Sequence, residues 1–183
     1  MAKKRKGKDE GVDPFLIPEE YIKPPGFTII VDTREQIPWK FNRSDWCSGT
    51  ESTKLHQGDY SIKGHENLIS IERKRSTGEI ATNIFEKRFE AEFVRLSDTV
   101  AHSFIICEFT FSDMKGFPEN SGIPRHRFSW LRVTPSILMK GVTLLQIKYP
   151  KVQWVFAGTT DLAREAARGL LKTSLQVAGH LKK

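Results

Sequence analysis

The sequence predicts an α/β protein, a central mixed β-sheet flanked by α-helices. Short apolar or alternating runs crowd residues 27–74, helical and strand periods then alternate from residue 79 onward, and no internal repeat interrupts them. At 183 residues, with 38% hydrophobic and 28% charged residues, the chain has the size and composition of one ordinary domain, long enough to bury a core without staples. The expected organisation is a leader over residues 1–25, a folded domain over 26–178 and a short tail over 179–183.

The leader runs from Lys3, Lys4, Arg5, Lys6 and Lys8 to Pro14, Pro18, Pro24 and Pro25, and prolines are excluded from helix and sheet interiors alike. Its basic tip reads either as a solvated tail or as a DNA-tethering arm or nuclear address. From Phe27 the period changes. Residues 27–31 form an apolar strand with Asp32 at its tip. Residues 52–56 and 59–63 flank Gln57 and Gly58 and are expected to pair as a hairpin. Residues 68–74 alternate cleanly: Ile69 and Ile71 point one way, Ser70, Glu72 and Lys74 the other, and Arg73 lies opposite Glu72 and Lys74.

A single helix is expected over residues 79–100, because Ala81, Phe85, Phe89, Phe93, Leu96 and Val100 recur at steps of three or four. Residues 103–109, with Phe104, Ile105, Ile106 and Cys107 in a row, read as a buried strand. A helix over 134–147 starts with Thr134 as N-cap and Pro135 at the first helical position. Residues 153–157 give a further strand, and Thr159 or Thr160 caps a last helix through about residue 175. The apolar stripe of that helix, Leu162, Ala163, Ala166, Ala167, Leu170 and Leu171, covers either the sheet or a partner subunit.

The net charge is +7 and the pI near 9.5. Much of the excess sits in the first ten residues, where five basic groups face two acids. The balance favours a polyanionic partner through counterion release without requiring one. No apolar run approaches the roughly 20 residues of a membrane helix, and no apolar segment follows the basic tip, so neither a membrane span nor a secretory signal is expected. Cys47 and Cys107 suggest neither a disulfide framework nor a zinc knuckle. The expected location is therefore intracellular, in the cytoplasm or nucleoid, or the nucleus of a eukaryote.

The chemistry-bearing residues are Asp32, Asp59, Glu72 and Lys74, each at or near a strand end in this reading. Strand ends of one sheet can converge, and three acids in one pocket repel each other unless a cation neutralises them. Hard carboxylate oxygens suit Mg²⁺, or Mn²⁺ in its place. A metal-bound water is a nucleophile of lowered pKa, and Lys74, two residues from Glu72 on one strand face, can orient it or stabilise developing negative charge. Those are the requirements for cutting a phosphodiester. A solvated Glu72 and Lys74 on an outward strand face remain the competing reading.

Asp59, twelve intervening residues and then Glu72-Arg73-Lys74 resemble the (P)D-(D/E)XK signature of restriction-type nucleases. The longer set of Val31-Asp32-Thr33-Arg34-Glu35, Gly58-Asp59-Tyr60, Ile71-Glu72-Arg73-Lys74, Arg88-Phe89 and Arg95-Leu96 is similar to the nuclease domain of the XPF-type structure-specific endonucleases, over roughly residues 27–175. The resemblance implies a restriction-endonuclease-like fold and a Mg²⁺-dependent endonuclease acting on branched, flap or junction DNA in repair or recombination. It also implies a homodimer or a partner protein that supplies recognition of DNA structure. Carried over by position, it makes Asp32, Asp59 and Glu72 candidate metal ligands, Lys74 the catalytic lysine, and Arg34, Glu35 and Arg73 supporting residues.

The sequence departs from the family pattern at three points. An acid usually follows Glu-Arg-Lys after three residues; that position is Gly78, with Glu79 beside it as the candidate substitute. Glu92 stands where the family generally has Gln. A tandem helix-hairpin-helix module is not expected after Lys183, and selectivity is expected from the nuclease surface, a partner, or the tail with Lys3, Lys4, Arg5 and Lys6.

Arg88 and Arg95 lie seven apart on one helix side, placed to contact phosphates or to pair with Glu92 and Asp98. In residues 123–132, Arg125, His126, Arg127 and Arg132 interleave with Phe128 and Trp130, which suits backbone contact with base stacking, or a loop that buries its aromatics. Arg88, Arg125 and Arg127 are the candidate DNA contacts of the folded part. Two alternatives stay open: a catalytically silent DNA-binding or scaffold module of the same fold, and a resolvase-like nuclease.

Overall fold

The structure, a computed structural model, describes residues 26–44 and 46–180. The expected leader, with Lys3, Lys4, Arg5 and Lys6, lies outside the described residues, as do residues 181–183 of the tail.

Six strands, β1 (Phe27–Val31), β2 (Cys47–Ser52), β3 (Tyr60–Ile62), β4 (Ile69–Lys74), β5 (His102–Cys107) and β6 (Val152–Phe156), form one sheet in the order β2-β1-β3-β4-β5-β6. β3 is antiparallel to both neighbours, and every other pairing is parallel. Parallel neighbours need crossover connections. Two helices, α1 (Thr77–Asn83) and α2 (Lys87–Thr99), join β4 to β5, while α3 (Phe111–Lys115), a 3₁₀ turn (Arg125–Trp130) and α4 (Pro135–Lys148) join β5 to β6. The last helix is α5 (Thr160–His180). Among the described residues, no helix is long and apolar enough to cross a membrane.

Because both faces of the sheet are covered, its central strands are apolar on both sides. Ile105 and Cys107 pack with Phe89, Phe93, Leu96, Leu138 and Val142 under α2 and α4. Phe104 and Ile106 face the other way, with Ile69, Ile71, Ala163, Ala167 and Leu171 under α5. Ala163, Ala167 and Leu171 of the α5 stripe therefore cover the sheet while Leu162 stays exposed, and the helix runs past residue 175 to His180. Thr134 caps α4 by accepting a hydrogen bond from the Ile137 N–H, with Pro135 opening the helix as its sequence requires.

Two local expectations are corrected. Residues 52–56 do not pair with 59–63; β2 instead lies parallel to β1 at the sheet edge, and β3 fills the gap between β1 and β4. The chain after β2 is held elsewhere, because the Thr53 N–H donates to the Val31 carbonyl at 3.0 Å and the Leu55 N–H to the Asp32 carboxylate at 2.6 Å. The expected helix over 79–100 is broken at residues 84–86. Ile84 seats against Gly141 of α4 so closely that a Cβ there would come within 2.2 Å of the Ile84 side chain. The turn that seats Ile84 throws Phe85 out of the stripe, leaving it 67% exposed.

A second close approach positions the segment before the 3₁₀ turn. A Cβ on Gly78, in the first turn of α1, would lie 2.4 Å from the Ser121 carbonyl oxygen and 3.1 Å from Ile123. Gly78 is what lets residues 121–123 dock on α1. Substituting Gly78→Ala forces main-chain movement and is expected to cost about 1–3 kcal/mol in urea denaturation. Gly169→Ala, in α5 with nothing within 4 Å of the added carbon, is expected to stabilise by about 0.5–1 kcal/mol. Equal shifts for the two variants would contradict this reading.

Candidate active site

Alternation along β4 divides three consecutive charges between the two sides of the sheet. Glu72, Arg73 and Lys74 are only 7%, 5% and 4% exposed. Glu72 and Lys74 face α1 and α2 in a cleft of about 340 Å³, whose lining includes Asp59, Glu79, Arg88 and Glu92. The Lys74 Nζ donates to Glu72 Oε1 at 2.6 Å, lies 3.4 Å from Glu79 Oε1 and sits 5.0 Å from the centre of the Phe89 ring. Burial alone would lower the Lys74 pKa, but the carboxylates of Glu72, Glu79 and Glu92 outweigh it and hold the ammonium charged well above its ordinary range.

Asp59 reaches the cleft from the turn before β3. Gly58, at φ +73°, makes that turn, and a Cβ there would collide with the Ser70 hydroxyl. The Asp59 backbone is bonded on both sides, its N–H donating to the Ile71 carbonyl and its carbonyl accepting from the Asp32 N–H, each at 2.8 Å. Its carboxylate accepts from the Arg73 backbone N–H at 2.8 Å. Burial, reinforced by the neighbouring Glu72, pushes its pKa well above the usual carboxylate range. Glu92, arriving from α2, shares a hydrogen bond with Glu72, and burial with that neighbour's charge raises its pKa to about 8. At neutral pH the protonated Glu92 offers Glu72 a donor, as the amide of a Gln would.

Asp32 behaves differently. Oδ1 accepts from the Arg34 backbone N–H at 2.8 Å and from Arg34 Nε at 2.6 Å, while Oδ2 accepts from Arg34 Nη2 at 3.0 Å and the Leu55 N–H at 2.6 Å. Burial opposes ionisation, yet these donors outweigh it and hold the Asp32 carboxyl below its ordinary value. Four donors fill the lone-pair positions of this carboxylate. Of the three acids expected to converge, Asp59 and Glu72 line the cleft, while Asp32 clamps Arg34 and the chain after β2.

The supporting residues divide as well. Arg73 faces away from the cleft, where its guanidinium binds Glu108 Oε1 at 2.7 Å, donates to the Ile37 carbonyl, lies 3.5 Å from Glu35 and covers the Trp39 ring at 4.9 Å. Glu108 also accepts from Trp39 Nε1 and from the Thr160 hydroxyl, both at 2.7 Å. Glu108 and Trp39 are not among the sequence-based site residues; the one signal was an acid at position 108 inside the run expected as a buried strand, which ends at Cys107. Glu79 is the acid that reaches Lys74 beside Gly78, its other oxygen accepting from the Arg75 N–H at 2.9 Å.

At the mouth of the cleft, Arg88 is exposed and 3.3 Å from Glu86, not paired with Glu92. Arg125 and Arg127 lie in the exposed 3₁₀ turn, Arg125 3.3 Å from Glu119. The aromatics of that turn do not form a core: Trp130 is 75% exposed and Phe128 half-buried.

Among the described residues, no three His, Cys, Asp or Glu are arranged to hold a metal by themselves. The donor set nevertheless fits Mg²⁺, which usually takes one or two carboxylates and keeps waters for its remaining positions. Asp59 and Glu72 are the residues able to hold it, and their mutual repulsion is what a cation would relieve.

The ERCC4 domain family model matches residues 31–164. Among solved structures, XPF from Aeropyrum pernix superposes with a TM-score of 0.56 at 21% identity, covering 85% of this chain and 68% of that one. XPF from Aeropyrum pernix in complex with DNA matches at 22% identity with a TM-score of 0.46, covering 78% and 66% of the two chains. No curated protein sequence matches the chain. The family match spans most of the folded residues, from the last residue of β1 through the Asp59 turn, β4 and both helices that close the cleft. The chain belongs to the ERCC4 domain family.

Proposed function

We propose that this protein is a divalent-metal-dependent endonuclease that hydrolyses phosphodiester bonds in branched, flap or junction DNA, in repair or recombination. The observation that carries the proposal is the meeting of Asp59, Glu72 and Lys74, whose ammonium the surrounding carboxylates favour, in one cleft. Mg²⁺, or Mn²⁺ in its place, supplies Lewis-acid polarisation of the phosphate and a water of lowered pKa when bound. Asp59 and Glu72 hold that ion through hard oxygens. Lys74 cannot serve as a base while its ammonium is so strongly favoured; its role is to stabilise the negative charge that grows on the phosphate oxygens. Arg88 at the mouth, and Arg125 and Arg127 on the docked turn, are assigned to the DNA backbone.

Exposed Ile137, Leu144 and Ile147 on α4 suit a second copy or a partner protein that adds recognition of DNA structure. Light scattering separates a dimer from a monomer.

Labelled flap, fork and blunt-duplex DNA incubated with Mg²⁺ is expected to show cleavage of the branched substrates. Asp59→Asn and Lys74→Met should each lower the rate by about 10²-fold or more, with circular dichroism unchanged. Tight DNA binding that persists in EDTA, with no cleavage under any metal, would leave the silent scaffold reading instead.

The pH dependence follows from the raised carboxyls. A group whose folded pKa is raised contributes stability that is complete below its unfolded value and lost as pH climbs through the folded one. For Glu92 that window runs from about 4.5 to about 8. In EDTA, the melting temperature of the wild type is expected to fall relative to Glu92→Gln across this range; a constant difference would mean that Glu92 is ionised throughout.

A further inference from the structure

The chain from Asn120 to Thr160 carries no aspartate or glutamate, yet it holds Arg125, Arg127, Arg132, Lys140, Lys148 and Lys151. Lys148 pairs with Glu90 of α2, and the arginines of the stretch favour a polyanion. Within it, the 3₁₀ turn Arg125–Trp130 buries none of its residues. Arg125, His126, Arg127, Trp130 and Arg132 are all exposed. The nearest acid to the turn, Glu119, meets Arg125 in an exposed contact of 3.3 Å, too weakly held to neutralise it against a phosphate.

Two features make this more than a solvated charge run. An indole with most of its surface in water forgoes a large apolar gain, and Trp130 is 75% exposed beside three arginines. The turn is also fixed in place. The segment leading into it rests on Gly78 of α1, at a distance no side chain would tolerate, and Gly122 lies beside Ser76, the N-cap of the same helix. The next residue of α1, Glu79, lines the cleft. The basic and aromatic turn thus follows directly on a segment docked against the helix that forms one wall of the candidate active site.

Duplex DNA offers arginines its phosphates but hides its base faces in the stack. Only an unpaired base presents a face to an exposed indole, and such stacking is tolerant of sequence. We propose that Trp130, in an exposed turn that also carries Arg125 and Arg127 and is followed by Arg132, is the seat for the single-stranded arm of a branched DNA whose scissile strand enters the candidate active-site cleft. The inference rests on the nuclease reading above and names the substrate feature that the surface selects.

The test uses the full chain in EDTA, where binding is read without cleavage. Anisotropy of a labelled oligo(dT) and of a blunt duplex is measured over a range of salt. Trp130→Ala is expected to weaken oligo(dT) about 5- to 150-fold, the range for one lost stacking contact, and to leave the duplex almost unchanged. Trp130→Phe should recover most of the loss. Arg127→Ala should weaken both ligands and reduce the salt slope by about one. Oligo(dT) should quench the wild-type indole fluorescence, and the quench should vanish in Trp130→Ala. Equal affinity of Trp130→Ala and wild type for oligo(dT), or an equal loss for both ligands, overturns the seat. Failure here with Mg²⁺-dependent fork cleavage intact leaves the nuclease reading standing; Trp130-dependent binding without wild-type cleavage overturns the nuclease reading alone.

Discussion

Three consecutive charges buried in one central strand set the terms for the rest of this molecule. An ion removed from water costs several kcal/mol unless it is paired and hydrogen-bonded. Glu72, Arg73 and Lys74 of β4 each face that cost, and the pleat sends them to opposite sides of the sheet. On the α5 side, Arg73 is neutralised by Glu108, supported by Glu35, the Ile37 carbonyl and the Trp39 ring. That arrangement ties the loop after β1 to the end of β5, and the Thr160 hydroxyl ties it to the start of α5. Arg73 is thereby a fastening for the sheet, and its contribution to the cleft is the backbone N–H that orients Asp59.

The opposite side is left acidic on purpose of geometry alone. One lysine meets Asp59, Glu72, Glu79 and Glu92 around the cleft floor. Burial, reinforced by the charge of Glu72, pushes the Asp59 and Glu92 carboxyls above the ordinary range. The acidic excess is suited to a hard divalent ion. Asp32 contributes none of it, because Arg34 and the Leu55 N–H already satisfy its oxygens.

Gly78 shows how one residue can exchange a local role for a surface one. A side chain at this position would occupy the space filled by the Ser121 carbonyl. Its absence docks the acid-free segment against α1, while Glu79, one residue on, brings a carboxylate to Lys74. The wall of the cleft and the basic turn beside it are therefore parts of one packed unit.

Sequence alone determined the strands and helices whose periods are long or continuous. β1, β4, β5, α4 and α5 lie where alternation, apolar runs and the Thr134-Pro135 cap put them, since those signals are local. It also determined the side of β4 on which Glu72 and Lys74 meet, because a strand period of two leaves no choice. Tertiary structure decided what depends on contacts distant in the chain. Gly141 breaks the helix stripe at Ile84 from 57 residues away in sequence, and Leu55 draws the chain after β2 over Asp32 instead of into a hairpin. The pairing of Arg73 with Glu108, and the exposure of Trp130, likewise follow from which surfaces meet when the sheet is covered, and no spacing along the chain encodes that.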